Sequence, residues 1–185
     1  MITVIVEGPG DQRSLPVLVQ REKRASLHCV NMGGKSNIVR MRQGFEGTIR
    51  RQHALGKRSF MVLVDGDVTF EPYKSIEEEQ VGMRQRAETL ERELGVPVRV
   101  CWAVIEVESW LIGGIQPRAA FCGLERVGQV PNNTETTPPD PKAWLEDHLE
   151  DSYTPRTQEC LARNIDLEEA KRRNQSLQTF FENVR

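Results

Sequence analysis

Apolar runs rich in β-branched residues recur along the first two thirds of the chain, with helical patterns between them. ITVIVE opens as a strand apolar on both faces, and GPGD follows as a turn. DQRSLPVLVQREKR reads as a helix that Asp11 can cap, with Pro16 near its first turns, where a missing N–H costs least. SLHCVNM is the second strand. GGKSN then breaks the chain, and Asn37 to Leu55 keeps helical spacing through Ile38, Met41, Phe45 and Ile49. SFMVLVD is the third strand. Ser75 and Glu78 make a capping box ahead of a helix striped by Ile76, Met83, Ala87, Leu90 and Leu94. VPVRVCWAVI is the fourth strand and runs into EVESWLIGG.

Strand and helix alternating in this way predict an α/β fold, a mainly parallel sheet of four strands or slightly more, flanked by helices. Residues 1–127 form the expected core. Residues 128–140 (GQVPNNTETTPPD) read as a surface loop, rich in Pro, Asn and Thr. Residues 141–185 form a short C-terminal helical extension, too small to fold alone and therefore packed on the core. A helix from Asp140-Pro141 holds Trp144, Leu145 and Leu149, and a last helix runs from about Asp166 to Val184. Trp144, Phe180 and Phe181 are expected as core packing, with an exposed partner-binding patch as the alternative.

The formal charge of −2 names no partner, but its distribution is uneven. Arg21 to Arg58 holds ten Lys or Arg against Glu22 and Glu46, an excess that suits either a polyanion or two solvated helix faces. No stretch of about 18 apolar residues occurs to span a membrane. The start MITVIVEGPGD reads as a buried strand and not as an export signal, so a cytoplasmic location is expected. Cys29, Cys101, Cys122 and Cys160 stand apart without a CxxC pair, and reduced, mostly buried thiols are the expectation. His28, His53 and His148 show no ligand spacing.

The chemistry lies where strands end. Glu7 closes a buried strand before Gly-Pro-Gly, which is costly unless water, a metal or another cation meets the charge. Asp65 and Asp67 repeat the pattern in LVDGD and can both turn toward one cation, as magnesium prefers; turn capping is the bland alternative. Glu106 and Glu108 end the fourth strand similarly, and either completes an acidic cluster or is spent on capping and solvent. Asp11 reaches the same place or simply caps its helix. In GGKS, Gly33, Gly34 and Lys35 can touch a phosphate or make a plain turn. A phosphate-binding NTPase loop is excluded, because Cys29 stands where its first glycine is required.

With Glu7 after the first strand and Asp65-Gly66-Asp67 after the third, the sequence resembles the Toprim domain of primases, topoisomerases and several nucleases. It is also similar, along nearly its whole length, to a family of small bacterial Toprim-like proteins. That second likeness rests on VEGPGDQRSLPVLV, GGKSN, LVDGD, IEVESWLIGG and the tail from Asp166-Leu167-Glu168 to Gln175-Ser176-Leu177. The resemblance implies a Toprim/Rossmann-like fold and magnesium- or manganese-dependent hydrolysis of phosphodiesters in DNA or RNA, with one or two ions. Glu7 would be the general acid/base or a ligand, Asp65 and Asp67 the ion-binding pair. Asp11 and Glu106 or Glu108 would be further acids, and Lys35, Arg40 and Arg42 would hold backbone phosphates. It further implies a setting in phage defence and a partner ATPase. The alternatives are a non-catalytic binding module working with such a partner, or an enzyme of small phosphoesters.

Overall fold

A computed structural model describes residues 1–40, 43–67, 69, 73–118, 120–125 and 127–184. The strands are β1 (Ile2–Val6), β2 (Leu27–Asn31), β3 (Phe60–Asp65) and β4 (Val98–Ala103). They form one parallel sheet in the order β2-β1-β3-β4. Val4 sits between Cys29 and Met61, and Asp65 pairs with Ala103. All four strands therefore point their carboxyl ends to one edge, the edge where ligands bind in open α/β sheets.

Side-chain alternation divides the core between the two faces of the sheet. Ile5, Phe60, Val62, Val64, Val98 and Trp102 face one layer. That layer consists of α2 (Lys35–Val39), α3 (Phe45–Ala54) and α4 (Ile76–Leu94). Val4, Val6, Met61, Leu63, Cys101 and Ala103 face the other. There the cover is α1 (Pro9–Lys23), α5 (Val107–Gly113), α6 (Pro141–Asp147), α7 (Pro155–Asn164), α8 (Leu167–Arg173) and α9 (Gln175–Asn183). Trp110, Phe180 and Phe181 are buried in this second layer, with Trp110 and Phe180 rings 5.3 Å apart. Each such aromatic contributes about 1.5–3 kcal/mol by leaving water. The tail aromatics are thus core, and Trp144 packs partly buried against the same cluster.

Several sequence expectations change in detail. The helix over 37–55 is two helices. Arg86 on α4 donates to the carbonyls of Val39 (2.8 Å) and Arg40 (3.3 Å) and pairs with Glu46, satisfying the end of α2 so that the chain can turn. Met41 lies outside the described residues. Pro16 sits in the interior of α1, since that helix starts at Pro9. The last helix is also split. Asn174 is fully buried at the break, where its amide donates to the Ser109 carbonyl (3.0 Å) and to Thr134. The 128–140 segment is therefore no simple surface loop, as Val130 and Thr134 are buried.

Two further findings were not expected. Helix α7 has no counterpart among the helices expected from sequence, although Thr154-Pro155 carries a start signal: the Thr154 hydroxyl accepts from the Thr157 N–H at 3.2 Å, with proline in the first turn. Cys122 and Cys160 form a disulfide, with Cα atoms 5.7 Å apart, which corrects the expectation of four thiols. Their separation of 38 residues hides that proximity from a linear reading. Cys29 and Cys101 are buried thiols, as expected. No helix among the described residues is long and apolar enough to cross a membrane.

Candidate functional site

The strand ends converge as their sequence implied. Glu7 follows β1, Asp65 ends β3, and Glu106 and Glu108 stand at the turn from β4 into α5. With Asp11 from the first turn of α1 they line a cleft of about 250 Å³. Its opposite wall comes from the extension: Lys142, Tyr153, Pro155 and Gln158. Asp67 is exposed just beyond, close enough for its charge to act on Glu7 and Glu106.

Backbone donors fix these carboxylates. Glu7 Oε1 accepts from the Asp65 N–H at 2.9 Å, and Asp65 Oδ1 accepts from the Val107 N–H at 3.3 Å, which chains β1 to β3 and β3 to α5. Gly66 between the two aspartates has a plain reason. A Cβ there would lie 2.5 Å from the Val104 carbonyl oxygen and 2.8 Å from that of Ala103, so only glycine lets the loop pass beside β4. Asp11 does not open α1 as its cap. It stands at the third helical position, where Oδ2 accepts from the Gly8 N–H (3.1 Å) and Oδ1 from the Gln158 amide (3.1 Å).

Crowding and burial lift the acids out of the ordinary carboxylate range. Burial pushes Glu7 up to about 7, against the pull of the Asp65 N–H and Lys35, with Asp11 and Asp67 adding to the rise. Glu108 is also raised to about 7, first by burial and then by Asp11 and Glu106. Asp65 is held well above its usual value by burial and by Asp11, Glu7, Glu108 and Glu106 together. Burial raises Asp11, and burial with Asp67 and Asp140 raises Glu106. Glu106 accepts from the Lys142 backbone N–H, yet its Oε2 is buried with no hydrogen-bond partner among the described residues. Tyr153 is kept a phenol by burial and by Glu108. Its hydroxyl stands against the Glu108 carboxylate and lowers that group's pKa, though without a well-formed hydrogen bond to any described atom.

The glycine turn and its lysine face inward. The Gly33 N–H donates to Asn31 Oδ1 and the Gly34 N–H to the Glu7 carbonyl, both at 2.8 Å. Lys35 Nζ donates to the Asp65 carbonyl (2.7 Å), pairs with Glu79 at 3.3 Å and lies 5.3 Å from the Trp102 ring centre. These residues build the floor under Asp65 and do not present a phosphate cradle. Arg40 is exposed on the α2 side, and Arg42 lies outside the described residues. The cation that does line the cleft is Lys142, together with Tyr153 and Gln158, and sequence reading passed over all three. Lys142 had a legible signal, directly after the Asp140-Pro141 helix start; Tyr153 and Gln158 had none, since only the fold brings α7 to α1.

Donor chemistry suits a hard divalent ion, because every group is an oxygen and one buried carboxylate oxygen lacks a partner. Among the described residues no three His, Cys, Asp or Glu side chains form a ready-made cage. Magnesium needs none, being held usually by one or two carboxylates, waters and substrate phosphates.

No protein-family model and no curated protein matches the chain. A solved structure of a CbiX protein from Marinobacter aquaeolei VT8, described as one of cobalamin (vitamin B12) biosynthesis, is similar over 54% of this chain and 78% of its own. The identity is 17% and the TM-score 0.27, too loose a likeness to argue from.

Proposed function

We propose that the protein is a magnesium- or manganese-dependent phosphodiesterase of nucleic acid, a nuclease of Toprim type. One observation carries the reading: acids from three strand ends and one helix crowd a single cleft, where burial raises Glu7, Asp11, Asp65, Glu106 and Glu108, and neighbouring carboxylates raise all but Asp11 further. Such a cluster attracts a cation, and hard oxygen donors suit a divalent one. A bound ion would polarise a phosphoryl oxygen and acidify a water. Asp65, with Asp67, Glu106 or Glu108, would hold it. Glu7, poised near neutrality, can take and return a proton at working pH, as a general acid/base must. Lys142 at the rim can meet a substrate phosphate.

A cytoplasmic setting belongs to this proposal, and there reducing thiols would act on the Cys122–Cys160 bond. A partner ATPase and a role in phage defence belong to the same proposal through the resemblance alone. The second reading, a non-catalytic Toprim-like module serving such a partner, draws on the backbone and amide bonds that already satisfy Glu7, Asp65 and Asp11 without a cation.

Calorimetric titration of Mg²⁺ and Mn²⁺ into the wild type and Asp65→Asn tests the proposal, followed by cleavage of labelled DNA and RNA. The wild type is expected to bind and cleave, and Asp65→Asn to lose both. Ion binding without cleavage of either polymer would favour the binding module, and cleavage surviving in Asp65→Asn would sink the site.

A further inference from the structure

One wall of the cleft comes from α7 and the residues just before it: Tyr153, Thr154, Pro155 and Gln158. Gln158 is 3% exposed, and its amide nitrogen donates to Asp11 Oδ1 (3.1 Å) and Ser14 Oγ (3.3 Å) on α1. The approach is so close that a Cβ on Gly10 would fall 1.7 Å from Gln158 Oε1. Five residues earlier, the Tyr153 hydroxyl lies against Glu108. A buried amide bonded to one carboxylate, and beside another a buried hydroxyl with no hydrogen-bond partner among the described residues, are costly to place there for packing alone.

The same helix is held along its C-terminal half. Arg21 on α1 donates to the carbonyls of Ala162 (2.6 Å) and Ile165 (2.8 Å). Cys160, two residues beyond Gln158, is tied to Cys122. Restraint therefore lies in the turns that follow Gln158. Carboxylates that bind ions depend on partners of this kind to fix their orientation.

We infer that Tyr153 and Gln158 are positioning residues for the ion site, Tyr153 orienting Glu108 and Gln158 orienting Asp11, so that the extension is an integral part of the site. The inference rests on the ion-binding reading above. Neither residue touches the ion or substrate; each acts through the carboxylate it holds.

The test is Mn²⁺ titration by calorimetry on the full chain, comparing wild type, Tyr153→Phe and Gln158→Met, with melting curves and far-UV circular dichroism alongside. Tyr153→Phe keeps the ring and removes only the hydroxyl. Each variant is expected to stay folded and to bind Mn²⁺ about tenfold more weakly, the usual scale for an outer partner of a ligand. A purely structural role would lower the melting temperature and leave the affinity of the folded protein unchanged, and that result would overturn the inference. If Gln158→Met does not fold, Tyr153→Phe decides it. Absence of Mn²⁺ binding in the wild type would overturn the ion site itself and this inference with it, whereas wild-type affinity in both variants would overturn this inference alone.

Discussion

The layer of α2, α3 and α4 and the layer of α1 with the C-terminal helices bury the same kinds of side chain against the same four strands. They differ in how far along the chain their parts come from. The first is built from segments that lie between consecutive strands. The second joins α1 to α7, and the Gln158–Asp11 bond spans 147 residues. The local layer carries the structural pair Lys35–Glu79, while the long-range layer closes the cleft. The acidic cleft lies where distant segments meet, with strand ends and α1 on one side and residues 142–158 on the other.

Reduction should separate the two layers most sharply. Closing a loop of 38 residues stabilises a fold by roughly 4 kcal/mol in the chain-entropy picture. Dithiothreitol is therefore expected to lower the melting temperature by on the order of 10 °C, with increased hydrogen exchange confined to α7 and its surroundings. Equal loss of protection in α3 and α4 would show that the layers unfold as one.

The contrast also governs what could be read from sequence. Four strands, their order of ends and the acids that close them were legible, because β-branched runs and a Ser75–Glu78 cap are local signals. The sheet order and the α7 wall were not, for nothing within a short window tells Gln158 that it will face Asp11. Lys35 was ambiguous for the opposite reason: glycines before a lysine look the same whether the amine reaches a phosphate or, as here, the Asp65 carbonyl.

Acid strength offers a second probe, of the cleft alone. Glu7 and Glu108, ordinarily near 4.5, are held near 7 in the folded chain. Between those values the native state binds more protons than the unfolded one, so stability falls as pH rises through that window and the loss is complete above about 7. Metal-free protein should melt several degrees lower at pH 7.5 than at pH 5.5, with Mg²⁺ restoring more at the higher pH. A metal-free melting temperature that rises over this range would show that these acids are not held near neutrality.

The smallest effects form a matched pair. Gly10→Ala drives a methyl into Gln158, and about 2 kcal/mol of stability should be lost along with the bond to Asp11. Gly82→Ala, mid-helix in α4 with nothing within 4 Å of the new carbon, should gain about 0.5–1 kcal/mol. Urea unfolding of both variants measures the difference. Changes of the same sign would end the distinction between the layers.

The position of α7 late in the chain has a consequence in time. Synthesis proceeds from the amino terminus, and domains tend to fold in that order. All four strands and the five clustered acids are therefore made before Tyr153 and Gln158 exist. Until then the acids face water, which tolerates their charge well, and the sheet has one of its faces only partly covered. Completion of the cleft is thus an event of late synthesis: a chain stopped before residue 153 would contain the five acids of the cluster without the helix that bonds to Asp11.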